Sequence, residues 1–221
     1  MGLTAYGIFR WRGVQPFATG APLAPALYLV LHGSYGFMWL AKDVMMPDLN
    51  WQRRATWASG LLIFGTLSTA YVLPCFCLAA APAELSLARV GAAVGAYIAG
   101  VFLHFGADCQ KFFTLKHRAE RDLITEGFFS MCRNPNYLGE VLIYGSLAAM
   151  TNSHWPWVAD GLMWTLLFWP NMVRKDASMS RYGAKWEAYC KEVPMFLPNA
   201  WRVLRQLPAA LIPRSAPPKG D

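Results

Sequence analysis

Three uninterrupted apolar runs, near residues 21–41, 57–81 and 85–107, constrain this 221-residue chain more than any other feature. Each approaches the ~20 residues that a helix needs to cross ~30 Å of hydrocarbon. Two more follow: 137–150 is short, and 155–173 is Trp-rich, with Trp155, Trp157 and Trp169 near its ends, where indole rings favour the headgroup zone. Backbone surrounded by lipid must satisfy its own hydrogen bonds, so such runs fold as helices. The predicted fold class is an all-α polytopic membrane helix bundle, about five transmembrane helices plus a cytoplasmic C-terminal amphipathic helix. Composition agrees: 55% of residues are hydrophobic and 15% charged, against about 25% charged in soluble domains. Disorder, a secreted disulfide scaffold and an ordinary soluble enzyme are excluded.

Charge sets the expected orientation. With five spans, the segments 42–56, 108–135 and 174–221 fall on one side and carry 17 of the 20 Lys and Arg residues. Only Arg10, Arg12 and Arg89 lie opposite. The positive-inside rule puts the basic segments in the cytoplasm, giving a multi-pass integral membrane protein of the endoplasmic reticulum or a bacterial inner membrane. The first long apolar run starts only near residue 21, so no cleavable leader is expected. The net charge of +7 is explained by this topology, which leaves no soluble basic face for nucleic acid. It would attract lipid headgroups or a phosphorylated cofactor.

Five cysteines and four histidines show no zinc-ligand spacing, and no metal site is expected. Residues 1–106 read as N-terminal helices on the substrate side, 107–200 as the chemistry-bearing region with two spans, and the Pro-rich 201–221 as a flexible tail.

Within 107–200, Pro135 can open a helix at its first turn. Asn136, Glu140 and Tyr144 then follow at i, i+4 and i+8 on one face, with Arg133 at the mouth. A carboxylate a turn inside a span usually faces a cavity or a partner, although Glu140 placed there could instead cap the helix N-terminus. Lys111, Lys116, His117, Arg118 and Arg121 make the preceding loop basic, either as topological charge or as phosphate ligands. After residue 173, Lys175, Met179, Tyr182, Trp186 and Tyr189 recur at helical spacing. Their stripe serves either packing or a cofactor.

These residues carry a resemblance. Arg133-Asn-Pro-Asn-Tyr-Leu-Gly-Glu140 resembles the Arg-His-Pro-Asn-Tyr-x-Gly-Asp/Glu signature of membrane sterol reductases and steroid 5-alpha reductases. Asp108-x-Gln110-Lys111 is similar to the Asp-x-Gln-Lys stretch of the sterol reductases. Lys175-Asp176, Arg181-Tyr182-Gly183, Trp186, Tyr189 and Val193-Pro194 are similar to their C-terminal pattern. The same superfamily holds isoprenylcysteine carboxyl and phospholipid methyltransferases, which use S-adenosylmethionine. They usually show a Glu pair near the positions of Lys175 and Asp176, absent here.

The resemblance implies an NADPH-dependent oxidoreductase acting on a carbon–carbon double bond of a lipophilic, sterol- or enone-like substrate taken from the bilayer. It implies cofactor contacts from Lys111, Arg133, Asn136, Tyr137, Glu140, Lys175, Asp176, Tyr182, Trp186 and Tyr189. Glu140 and Tyr144 are the candidate catalytic residues, Tyr144 as proton donor, with His32, Tyr35 and Asp43 behind it. The alternatives are a methyltransferase using S-adenosylmethionine on a lipid or prenylcysteine, and a non-catalytic lipid-binding protein that keeps the fold. Two departures stand out: Asn134 occupies the position of the usual His, and the N-terminal half lacks an alignable steroid-binding Glu and Tyr.

Overall fold

The computed structural model describes residues 2–47, 54, 56–120 and 122–198. All regular secondary structure among them is helical: α1 (Gly2–Trp11), α2 (Leu23–Met45), α3 (Trp57–Ala80), α4 (Leu87–His117), α5 (Pro135–Ala148), α6 (Trp155–Met163), α7 (Trp169–Met179) and α8 (Ala184–Glu192). Short 3-10 turns at Gly127–Ser130 and Ser180–Tyr182 and a π turn at Trp164–Phe168 complete the chain order. The expected tail, 201–221, lies outside the described residues.

Among the described residues, three helices, α2, α3 and α4, are long and apolar enough to cross a membrane. Local chemistry starts two of them. Thr56 Oγ1 accepts from the Ser59 N–H (3.2 Å), and Ser86 caps α4 by accepting from the Arg89 N–H (3.3 Å), each satisfying one orphan donor of a first turn. Much of α3 faces outward with apolar side chains, Trp57 being 90% exposed, a pattern suited to lipid rather than water.

Four expectations need correction. The first long apolar run is preceded by a helix, α1, whose Ala5 and Phe9 are buried against the bundle; ten residues of mixed polarity gave too weak a period to show it. The segment after Ala107 is not a loop: α4 continues to His117 because neither Gly nor Pro interrupts it between 107 and 117. Its 31 residues make a rod of about 46 Å, longer than the hydrocarbon core, and the boundary placed at 106/107 falls inside it. The run 155–173 extends as one helical rod to Met179. Pro170 has no N–H to bond Leu166, and the Trp169 N–H reaches back to the Trp164 carbonyl instead, which widens the rod into a π turn.

The fourth correction concerns the C-terminal amphipathic helix. It is two helices, because α7 ends at Met179 and the chain turns at Gly183, whose φ of +56° suits a residue without Cβ.

Packing centres on α4 and α5, the most closely associated pair. Their backbones touch at Gly100 and Gly139, where a Cβ on Gly139 would stand 2.5 Å from the Gly100 carbonyl oxygen and 2.5 Å from the His104 nitrogen. Small residues at a crossing allow this approach. At the far end, Arg89 donates to the carbonyls of Ala149 (2.6 Å) and Thr151 and to Asn152 Oδ1 (2.7 Å), closing the C-terminus of α5. The pair is clamped at both ends, and that rigidity positions what lies between them.

Candidate active site

Pro135 opens α5 as expected. Asn136, Glu140 and Tyr144 form a column facing into the bundle. Glu140 sits beyond the first turn of α5, so the helix-capping reading does not hold. Its Oε1 instead lies 3.5 Å from His104 Nδ1 on α4. Tyr144, 2% exposed, shares a 2.6 Å hydroxyl–hydroxyl hydrogen bond with Tyr71 of α3, and Tyr71 in turn accepts from the Tyr28 hydroxyl through its backbone carbonyl. Tyr35 of α2 lies edge-on to both Tyr144 and His104.

Sequence reasoning missed two members of this cluster. His104 is 2% exposed, and Lys42 of α2 makes a direct ion pair with Asp108 while its ammonium stands 4.3 Å from the Trp39 ring centre. The signal for His104 was present as an ionisable residue inside an apolar run, four before Asp108. Lys42 could not be paired from sequence, since 66 residues separate it from Asp108. Of the weaker proton-donor candidates, Asp43 is exposed and stands outside the cluster. His32 is stacked on Tyr71 at 5.1 Å.

Above the column, α4, the 118–134 connection, α7, α8 and the turn between them enclose a cleft of about 190 Å3. Lys111, Arg133, Lys175, Asp176, Tyr182, Trp186 and Tyr189 all line it. The stripe read as one helix face thus converges by a different route: the turn at Gly183 folds α8 back, so Trp186 and Tyr189 meet Lys175 and Tyr182 across the cleft. Arg133 donates to the Val193 carbonyl (2.7 Å) and Asp176 Oδ2 (2.7 Å), with its guanidinium 5.4 Å from the Trp186 ring centre.

Lys175 donates to the Arg133 carbonyl and to Asn134 Oδ1, each at 3.0 Å. Burial, followed by the charge of Lys111, lowers its pKa from 10.5 to about 8. Asn134, fully buried, donates in turn to the Met195 carbonyl (3.0 Å). The Asn134 amide therefore ties the mouth of α5 to α7 and to the segment after α8.

The Asp-x-Gln-Lys stretch splits three ways. Asp108 turns to Lys42, Lys111 to the cleft, and Gln110 clasps the next loop, donating to the Glu126 carbonyl and accepting from the Phe128 N–H (2.9 Å each). Six expected residues stay outside the cleft lining: Asn136, Tyr137 and Glu140 on α5, and Lys116, His117 and Arg118. Tyr137 packs on Phe168 at 5.0 Å, Lys116 lies over Phe112 and His117 stacks on Phe113. Arg118 closes its own loop on Glu126 and the Leu123 carbonyl, and Arg121 lies outside the described residues. Among the described residues no group of three His, Cys, Asp or Glu could hold a metal.

On the other flank of α5, a groove of about 500 Å3 runs beside the π turn, lined by Val141, Trp164, Thr165, Phe168, Trp169, Met172 and Phe196. Its Phe168 ring is 6.3 Å from that of Tyr144.

Residues 49–193 match the family model described as Protein of unknown function (DUF1295). The chain belongs to the DUF1295 family. The matched DUF1295 segment holds the α5 column and the cleft residues and stops at Val193, whose carbonyl receives Arg133. Lys42 and Tyr35 lie before it. A search of curated proteins returns no match to the chain.

Proposed function

We propose that this protein is a membrane-embedded, NADPH-dependent reductase of a carbon–carbon double bond in a lipophilic, sterol- or enone-like substrate. One observation carries the reading: four cations, two carboxylates and four aromatic rings, from segments spread between residues 111 and 189, converge in one cleft whose Arg133 lies just before the Asn–Glu–Tyr column of α5. Lys111, exposed and at the rim, together with Arg133 and Lys175 offers donors to phosphate. Tyr182, Trp186 and Tyr189 offer rings to an adenine, and Asn136 and Glu140 offer an amide and a carboxylate to a carboxamide. The buried Oδ1 of Asn136, the Nε of Arg133 and one Asp176 oxygen have no partner, a fit for a polar ligand.

When bound, the cofactor supplies the hydride, and the chain supplies position, dryness and a proton. Tyr144 is the proton donor in this reading, oriented by Tyr71. The apolar groove beside Phe168 gives a lipophilic substrate a path from the bilayer. The cleft is smaller than the 300–1,000 Å3 usual for ligand sites, so a whole dinucleotide requires α8 to move outward. α8 is held by the exposed Lys185–Asp122 pair (2.8 Å), by the buried Tyr189 hydroxyl donating to the Phe129 carbonyl (2.5 Å) and by Trp186 under the Arg133 guanidinium (5.4 Å). The surface pair is weak, so the other two contacts must break for the cleft to widen. The accompanying topology has five spans, with α5 and the 155–173 part of the long rod completing the bundle, and the cleft on the cytoplasmic side of an endoplasmic reticulum or bacterial inner membrane.

The small cleft favours one alternative, the more compact S-adenosylmethionine of a lipid methyltransferase. The cations around the cleft oppose it, because that cofactor carries a positive sulfur and no phosphate. Binding to the purified protein separates them. Saturable NADPH binding, weakened about tenfold or more in Lys111→Ala and lost in Glu140→Ala, supports the reductase. S-adenosylmethionine binding without NADPH binding refutes it, and binding of neither leaves a lipid-binding protein.

A further inference from the structure

Four ionisable side chains meet beneath the cleft: Lys42 from α2, His104 and Asp108 one turn apart on α4, and Glu140 on α5. Lys42 and Asp108 form a direct ion pair, so their charges cancel. His104 stands between the two carboxylates, with Nδ1 3.5 Å from Glu140 and Nε2 4.0 Å from Asp108. Nδ1 is also 3.3 Å from the Asn136 carbonyl oxygen. A carbonyl only accepts, so Nδ1 carries the hydrogen and donates. That leaves Nε2 as the lone pair, and it is buried without a hydrogen-bond partner. A proton taken up at Nε2 would point toward Asp108, 4.0 Å away, while the Nδ1–H stays on the Glu140 side of the ring, so the charge on either nitrogen's side is felt by both carboxylates.

Charge then fixes the number of protons. With His104 neutral and Glu140 ionised, the four side chains sum to one net negative charge, which a buried site among apolar helices strongly disfavours. A single added proton, on Nε2 or on Glu140, restores neutrality. The other groups facing the cluster are the phenols of Tyr35, Tyr71, Tyr137 and Tyr144, which add no charge. In the adjoining cleft, Lys175 is held by Asn134 and the Arg133 carbonyl, Arg133 is paired with Asp176, and Lys111 is exposed at the rim.

We infer that His104 and Glu140 together hold one exchangeable proton, balanced by the Lys42–Asp108 pair, and release it when a positive charge is placed beside Glu140. Its functional half rests on the reductase reading, in which Glu140 faces a ring that is neutral before hydride transfer and cationic afterwards. Hydride adds to one carbon of the double bond and the released proton to the other. The π bond breaks, two C–H bonds form, and the cofactor leaves oxidised. The Tyr35 ring packs edge-on between His104 and Tyr144, 6.2 Å from the first and 6.4 Å from the second. His104 is thus a positioning residue that times proton delivery by charge.

The test begins without nucleotide. Nitrogen NMR of the four imidazoles is recorded on the full chain in detergent, with His104→Gln assigning its signal. Should that variant not fold, replacing His32, His117 and His154 leaves the same resonance. The expected result is a His104 titration whose midpoint moves by about one pH unit or more, a tenfold change in proton affinity, in Glu140→Gln. No pH-dependent change of either His104 nitrogen signal between about pH 4 and 10, or a change that persists with the same midpoint in Glu140→Gln, overturns the inference.

Proton counting in buffers of different ionisation enthalpy then compares oxidised and reduced cofactor. About one more proton released with the oxidised form is expected, and equal release overturns the coupling. Failure of both nucleotides to bind removes the reductase reading alone, because the imidazole titration still decides whether the proton is shared.

Discussion

Gly139→Ala tests the idea that contact between the backbones of α4 and α5 holds the candidate site in register. The new Cβ would meet the Gly100 oxygen and the His104 nitrogen at 2.5 Å, and His104 Cβ at 2.9 Å. Two of these are main-chain atoms in mid-helix and cannot rotate aside, so α4 must retreat by about 1 Å to reach ordinary van der Waals separation. Overpacking of this kind costs about 1–3 kcal/mol, against a helix-propensity gain of up to about 1 kcal/mol for Ala over Gly. Gly145→Ala on the same helix carries the same kind of gain without the clash, its Cβ meeting only Trp157 at 3.5 Å. The difference between the two variants therefore isolates the contact at about 1–3 kcal/mol. At about 2–4 °C per kcal/mol for a chain of this size, Gly139→Ala should melt about 2–12 °C below Gly145→Ala. Tryptophan-fluorescence melting in one detergent reads the gap. Equal midpoints would show that the helices are not locked there and would refute the reasoning.

Further outcomes follow from the same geometry. Tyr144→Phe removes the 2.6 Å bond to Tyr71 and leaves a buried hydroxyl with one partner fewer; a loss of about 1–3 kcal/mol is expected in denaturant titration, with turnover of any enone substrate lost and cofactor binding kept. Asn134→Ala deprives Lys175 and the Met195 carbonyl of partners, and limited proteolysis near residue 195 should accelerate while the melting point falls. For Lys175, the folded pKa of about 8 lies below the ordinary value near 10.4. Between those pH values the unfolded chain binds more protons, so stability rises from about pH 8 to 10. Affinity for a phosphate-bearing ligand moves the opposite way over the same range as the ammonium is lost. Lys175→Met should abolish both slopes, as read by melting and by binding across pH.

Helices, a polar face on α5 and a basic mouth were legible because each is a local property of the chain. Apolar runs report α2, α3 and α4, and the four-residue spacing of Asn136, Glu140 and Tyr144 places them on one face whatever surrounds them. Pro170 and Gly183 were equally visible, but their consequences were not, since a proline can end a helix or widen it and a glycine permits a turn without imposing one.

What the linear order of residues could not supply is company. Glu140 reads the same whether it caps α5 or meets a histidine; the approach at Gly100 and Gly139 makes it the partner of His104. Lys42 becomes the counter-charge of Asp108 only because α2 packs beside α4. The aromatic stripe of the C-terminus encloses a cleft because α8 folds back after Gly183. Helix formation is decided by neighbours a few residues away, whereas side chains separated by many residues meet only when helices pack, and packing belongs to the whole chain at once.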